Sequence, residues 1–319
     1  MDKKLWLDGM MGVVIGDALG CPVQFMEREE IKNRPAGPVK GMEGHGTYDM
    51  PVGTWTDDSS MALATLDSIR ELRTIDYEDI MTRFVDWYED GDYTPFGEAF
   101  DIGYTCSYAI EEYEKNHNLA TCGRTGDLSN GNGSLMRIIP ACLYAYEKGL
   151  SDDEAIKVIH EVSGLTHNHM RSKIACGLYY FCLKSILNEK ESLQDRLQLG
   201  LDQGFAFYEN DIINRVELTY YSRIRNLQEF LQVPEQEIKS SGYVVDFLEA
   251  AIWSLIKTGS LRDCLLTAVN LGDDTDTIAA IAGGLAGIYY GYENIPSEWL
   301  DVIKKREWIE NLCDLKIDN

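Results

Sequence analysis

A carboxylate-dense stretch that runs without a break into an uncharged, small-residue helix constrains this chain more than any other feature. Leu271-Gly272-Asp273-Asp274-Thr275-Asp276-Thr277 continues into Ile278-Ala279-Ala280-Ile281-Ala282-Gly283-Gly284-Leu285-Ala286-Gly287. Asp and Thr at a helix start ordinarily cap free backbone N–H groups and complement the dipole, and one or two suffice. Here three Asp and two Thr occupy five consecutive positions, 273 to 277, directly before a segment that has to be buried. Gly283, Gly287 and Gly291 fall four apart on one helical stripe, with Ala279, Ala280, Ala282 and Ala286 around it, so a second helix can approach closely. The helix is therefore expected to be central. The uncharged run from Thr277 to Tyr292 is shorter than the roughly 20 residues a bilayer requires, which argues against a membrane span. Carboxylates at the mouth of a buried helix either become neutral or hold a cation. Oxygen-only ligands select Mg2+ or Mn2+, with Ca2+ also compatible, over zinc.

A second helix start of the same kind lies more than two hundred residues earlier, at Gly53-Thr54-Trp55-Thr56-Asp57-Asp58-Ser59-Ser60-Met61. Taken alone, capping is its ordinary reading. If the two starts meet in space, Asp57, Asp58, Asp274 and Asp276 supply four carboxylates. Two divalent cations balance that charge, and without them it repels itself.

Other polar punctuation is weaker. Asp101 stands in the segment Gly97 to Gly103, with Glu98 its other charged residue, and the segment is expected to be a turn of helix. Asn130-Gly131-Asn132-Gly133-Ser134-Leu135-Met136-Arg137 is a glycine-rich turn into a helix, suited to a phosphate. It lacks the Lys of a P-loop and follows no strand, so neither nucleotide fingerprint applies. The loop Ser163 to His169 holds His167 and His169. A capping or surface role is the plainer expectation for His169 and weighs evenly with a site role for His167.

Periodicity predicts helices over 5–19, from the Thr56–Met61 start to about Leu72, and over 77–89, 98–115, 170–187, 243–257 and 261–271. Ser151-Asp152-Asp153-Glu154 is a capping box opening another to about Val162. Between Met26 and Gly53 the helical pattern is lost among Pro35, Pro38 and Pro51, which marks a functional or disordered loop. Residues 189–242 are polar and weakly periodic and are expected to be peripheral; the tail from Ser297 is amphipathic without chemical signal. No long strand alternation occurs, so the fold class is all-α. With 319 residues, 45% of them hydrophobic, the chain is expected to form one domain, 1–319. The net charge of −24, spread along the length, argues against nucleic acid or an anionic membrane as partner. The N-terminus reaches Asp8 before an apolar core can form, so no signal peptide is expected. Eight Cys without paired short spacing are expected as buried free thiols in a reducing cytoplasm.

With both Asp clusters, Gly16-Asp17-Ala18-Leu19-Gly20 and Gly131-Asn132-Gly133-Ser134 in hand, the chain resembles the ADP-ribosylglycohydrolase family, from about Leu7 to Tyr290. That family includes the dinitrogenase-reductase-activating glycohydrolases and the ADP-ribosylarginine and ADP-ribosylserine hydrolases. The resemblance implies a compact orthogonal multi-helix bundle with two Mg2+ or Mn2+ ions in a central cleft. It makes Thr56, Asp57, Asp58, Asp274, Asp276 and Thr277 the metal ligands. Gly131, Asn132, Gly133, Ser134 and His167 would contact ADP-ribose, and Asp101, in a segment like the family's Phe-Asp-Ile-Gly, would face the cleft. Asp57, Asp58 and Gln24 take the catalytic positions.

Position 24 departs from the family, which commonly has Glu there. A carboxamide orients a water or a hydroxyl but accepts no proton as a general base. Glu27 or Glu29 substitutes, or a metal-bound water serves alone, or the protein binds ADP-ribose and turns over slowly. The implied activity is hydrolysis of the glycosidic bond between ADP-ribose and a protein side chain, through an oxocarbenium-like state that a carboxylate-rich pocket suits. A weakly active ADP-ribose-binding or structural homologue and a metal-dependent nucleotide phosphohydrolase are the alternatives. Oligomeric state leaves no mark on the sequence.

Overall fold

The computed structural model describes residues 2–314, which form an all-helical fold with four isolated bridges and no strand among them. In order the helices are α1 (Lys3–Gly20), α2 (Arg28–Asn33), α3 (Asp57–Leu72), α4 (Tyr77–Asp90), α5 (Tyr104–Asn116), α6 (Leu119–Cys122), α7 (Ile139–Glu147), α8 (Asp152–Gly164) and α9 (Met170–Asn188). They continue as α10 (Leu193–Tyr208), α11 (Ile212–Leu218), α12 (Leu227–Phe230), α13 (Val244–Lys257), α14 (Leu261–Val269), α15 (Thr275–Tyr290), α16 (Ser297–Leu300) and α17 (Arg306–Leu312).

The small-residue helix α15 is buried from Thr275 to Ile288, enclosed by α1, α9, α13 and α14. Its broadest contact is with α1, and glycines on both helices make it. A Cβ placed on Gly12 would lie 2.0 Å from the carbonyl oxygen of Gly283, and one on Gly16 would lie 2.1 Å from that of Ala279. Contacts run from Asp8 with Gly287 to Gly20 with Asp276, so the helices are antiparallel. The end of α1 is thereby delivered to the start of α15. Gly291 does not belong to the stripe. It ends the helix at φ 88°, and a Cβ there would come nearest to the Glu293 side chain, not to a neighbouring helix. Lys3–Val23 is long and apolar enough to span a membrane, but it is buried over most of its length inside the fold, against α15 and its neighbours.

Two local expectations need correction. The segment 26–53 is not structureless. Glu27 and Glu30 form a capping box that opens α2. The Arg28 guanidinium donates to the carbonyls of Leu271 (2.9 Å) and Ile238 (2.8 Å), and Asn270 bonds the Val39 backbone in both directions. Six residues between prolines and charges are too short to register as a period, and tertiary bonds hold them. Likewise Glu98–Gly103 is not helical. Gly97 and Asp101 both have positive φ (83° and 66°), and α5 starts at Tyr104. The all-buried state of the eight free cysteines agrees with their expected form. In 189–242, α10 packs along α9, where Gly200 lies against the backbone of Phe181 and Cys182 and Leu197, Leu201, Phe205 and Tyr208 are buried.

Candidate active site

The antiparallel contact of α1 with α15, and the entry of α3 beside them, bring both acidic helix starts together. Asp17 of α1 takes over the capping of α3. Its carboxylate accepts the N–H of Thr56 (2.9 and 3.0 Å), the N–H of Ser59 (3.0 Å) and the Ser59 hydroxyl (2.5 Å). With those donors met, Asp57 and Asp58 accept no backbone N–H and are free for other work. At α15 the N-cap Asp274 makes no side-chain cap either, and Asp273, at φ 59°, turns away to accept from Ser240 (3.0 Å). The capping interpretation therefore fails for Asp57, Asp58 and Asp274.

Hydroxyls stitch the two starts. Thr56 Oγ1 donates toward Asp58 and Asp276 (both 3.3 Å), and Thr277 Oγ1 donates to Asp58 (3.2 Å). Asn132 of the glycine turn donates to Asp274 (2.7 Å), and Gln24 Nε2 lies 3.5 Å from the other oxygen of the same carboxylate. Backbone bonds pin the Gln24 segment in place, Phe25 N–H to Asp273 O (2.5 Å) and Asp273 N–H to Met26 O (2.8 Å). Asp101 is held by the Tyr48 hydroxyl.

These residues surround a cavity of about 390 Å3, within the range of ligand sites. Gln24, Asp57, Asp101, Gly131, Asn132, Gly133, His167, Asp274 and Thr277 line it. Thr56, Asp58 and Asp276 form a buried floor behind them. Ser134 is the exception among the expected contacts. Its side chain is fully buried and bonded to Ser163 (2.9 Å), so only its backbone stays near the turn. α7 begins at Ile139, so the turn is not itself a helix N-terminus. His169 caps α9, accepting the N–H of Arg171 (3.1 Å), as the plainer expectation had it. Glu27 and Glu29 are exposed on α2 and do not line the cleft.

Burial, joined by mutual repulsion, drives the carboxyls upward. Asp57 is raised by desolvation and then by Asp101 and Asp58, Asp58 by desolvation and then by Asp17 and Asp274, and Asp276 by desolvation and then by Asp274. Desolvation pushes Asp17 to about 7 and Asp101 to about 6, against their hydrogen bonds. No lysine or arginine pairs with any of them among the described residues.

The donor set fits a hard divalent cation. Asp58 Oδ1, Asp101 Oδ2 and Gln24 Oε1 are buried with no hydrogen-bond partner, an arrangement that costs free energy unless something else satisfies it. All the donors are oxygens, as Mg2+ and Mn2+ prefer. Among the described residues no three carboxylate, imidazole or thiolate groups converge on one point. The set that could hold a cation therefore includes the threonine hydroxyls that stand between the carboxylates.

Sequence reasoning missed Asp17 and Tyr48. Asp17 carried a signal, as a charged residue among Gly16, Ala18 and Leu19 of a helix that must be buried. Tyr48 carried none; only the fold brings its loop to Asp101.

The ADP-ribosylglycohydrolase family profile matches residues 4–318. The chain is 32% identical over 308 residues to the ADP-ribosylarginine hydrolase Tri1 of Serratia proteamaculans, covering 96% of this chain and 76% of the relative. It is 30% identical over 294 residues to the ADP-ribosyl-dinitrogen reductase glycohydrolase of Rhodospirillum rubrum, covering 92% and 88%. A solved ADP-ribosylglycohydrolase-related protein complex superposes with a TM-score of 0.77 at 29% identity, over 98% of this chain and 96% of that one. Matched along nearly its whole length in both sequence and fold, the chain belongs to the ADP-ribosylglycohydrolase family.

Proposed function

We propose that the cleft hydrolyses the bond between ADP-ribose and an arginine side chain of a protein. The observation that carries this is the hydrogen bond from Asn132 to Asp274, which joins an anion-suited glycine turn to a carboxylate floor around one cavity. A diphosphate and an oxocarbenium-like sugar need those two environments side by side. The activities by which the Serratia and Rhodospirillum relatives are named support the substrate class, and the first of them specifies arginine. Phe25, 62% exposed at the rim, offers an aromatic face to a guanidinium.

Thr56, Asp57, Asp58, Asp274, Asp276 and Thr277 would hold two Mg2+ or Mn2+ ions, which when bound fix ribose hydroxyls and lower the pKa of a water. In the reaction the ribose–nitrogen bond breaks, water oxygen joins the ribose carbon, and a proton reaches the leaving nitrogen. Asp101, held at one oxygen by Tyr48, would take a proton from the attacking water and pass one to the leaving nitrogen, a role the carboxamide of Gln24 has no means to fill. The Gly131–Gly133 backbone would hold the diphosphate.

Gln24 favours a second reading, ADP-ribose binding with little turnover, because it occupies the cleft beside Asp274 with an unsatisfied oxygen. Mass spectrometry of arginine- and serine-linked ADP-ribosyl peptides after incubation with the protein and Mg2+ separates the readings. ADP-ribose plus intact arginine peptide is expected, with the Asp101→Asn variant slowed by about 100-fold or more, the weight of a positioned acid or base. AMP or inorganic phosphate would contradict the proposal in favour of phosphohydrolysis. Tight binding without product would select the second reading, and Gln24→Glu is then expected to start turnover.

A further inference from the structure

Arg137 is fully buried and has no carboxylate partner among the described residues. Its guanidinium lies over the Phe84 ring (4.7 Å to the centroid) and shares the Val162 carbonyl at 3.3 and 3.4 Å. One strong, short bond remains, from Nη2 to Thr166 Oγ1 at 2.8 Å, while Nε has no partner. A buried unpaired cation is costly.

Thr166 Oγ1 lies 2.9 Å from His167 Nδ1. A guanidinium has donors only and stays charged. Thr166 therefore accepts from Arg137, and its own proton has two nearby acceptors, the imidazole Nδ1 and the weaker sulfur of Cys106. Donation to the imidazole makes Nδ1 an acceptor and puts the ring proton on Nε2. That nitrogen has no protein partner among the described residues and faces the glycine turn, within 3.5 Å of where a Cβ on Gly131 or Gly133 would stand. Burial, and next the charge of Arg137, hold His167 neutral with its pKa near 3.

We propose that Arg137 and Thr166 are positioning residues that lock His167 in the neutral Nε2–H tautomer, aiming one hydrogen-bond donor at an acceptor oxygen of the ligand in the glycine turn. The use of that donor rests on the ADP-ribose reading; the relay itself does not. It also accounts for the uncompensated charge of Arg137, which through the hydroxyl strengthens the donor without bringing a charged side chain into the cleft.

The test is imidazole 15N NMR of histidine-labelled protein near neutral pH, with His167 assigned by loss of its signals in His167→Gln. Wild type is expected to show His167 protonated at Nε2 and bare at Nδ1. Thr166→Val, nearly the same shape, is expected to give a mixture of tautomers, and Thr166→Ser to restore the single one. Circular dichroism melts confirm that both variants fold. An imidazolium, an Nδ1–H tautomer in wild type, or an unchanged tautomer in folded Thr166→Val would overturn the relay. Calorimetry with ADP-ribose and Mg2+ then reads its use. Thr166→Val is expected to bind about tenfold more weakly, the scale of one hydrogen bond, with Thr166→Ser near wild type. A relay present with unchanged affinity in Thr166→Val overturns the proposed use. No binding of ADP-ribose to wild type refutes the functional reading instead, while the tautomer still decides the relay.

Discussion

Asp276→Asn is expected to melt at a higher temperature than the wild-type protein when both are stripped of metal, and to lose turnover by on the order of 10²–10³-fold. The two effects have one cause. Asp276 is fully buried, accepts from Thr56 and from the N–H of Thr277, and shares its surroundings with Asp274, Asp101 and Asp58. Removing its charge relieves desolvation and repulsion, and an asparagine oxygen still accepts from Thr277. Each kcal/mol relieved raises the melting temperature of a chain this size by roughly 2–4 °C. The same charge is what would hold a cation, so the stabilisation by Mg2+ is expected to shrink.

The pH dependence sharpens this prediction. Carboxyls with raised folded pKa values keep protons that the unfolded chain has released, so metal-free stability declines as pH rises from about 4, the unfolded value, through about 6 for Asp101 and about 7 for Asp17. His160 and His167, buried neutral with values near 3, act the other way and weaken the fold as pH falls below about 6.5. A cation at the carboxylates leaves the histidines untouched. The gap in melting temperature between Mg2+-loaded and stripped protein therefore isolates the carboxylates. It is expected to widen from about pH 5 to about pH 8 in wild type and to be narrower throughout in Asp276→Asn. Differential scanning calorimetry across that range checks both. A metal-free Asp276→Asn less stable than wild type would contradict the account of an uncompensated cluster.

Gly16→Val is expected to abolish the native fold or lower its stability by more than about 3 kcal/mol, above the usual cost of overpacking. The obstacle to any side chain at 16 is backbone. Its Cβ would stand 2.1 Å from the Ala279 oxygen, 2.4 Å from the carbonyl carbon and 2.8 Å from the Ala280 nitrogen. No rotamer change relieves that. α1 and α15 would have to separate over a contact that runs from Asp8 to Gly20, opening voids on both sides. The end of α1 also carries Asp17 and leads to Gln24, so site geometry would go with it. Gly259→Ala, where an added Cβ meets nothing within 4 Å, is the matched control and is expected to change stability little. Urea titration followed by circular dichroism measures the difference. A loss below about 1 kcal/mol in Gly16→Val would show that the helices yield where the packing says they do not.

Much of this was legible in the residues because two kinds of pattern coincide with the physics. Small residues spaced four apart state how near another helix comes, and α15 is indeed central. What they do not state is which helix comes. Gly12, Gly16 and Gly20 repeat the same spacing on α1, yet the match with Gly283 and Gly287 appears only in three dimensions. Gly291 looked like a stripe residue and is a helix end, because a terminus reached through positive φ keeps the same spacing. The acidic clusters were legible as surplus caps, and the surplus is explained by Asp17, which does the capping from another helix. Helix α2, the left-handed Asp101 and the inward turn of Ser134 were not legible, since each is set by contacts from segments distant in the chain.

Calorimetric titration of ADP-ribose into the protein tests the central claim most directly, with Mg2+ present, after chelation, and in Asp274→Asn/Asp276→Asn. The account predicts binding with Mg2+ that is lost on chelation and in the double variant, while both proteins remain folded. Binding of equal strength in all three conditions, or none in any, would contradict it.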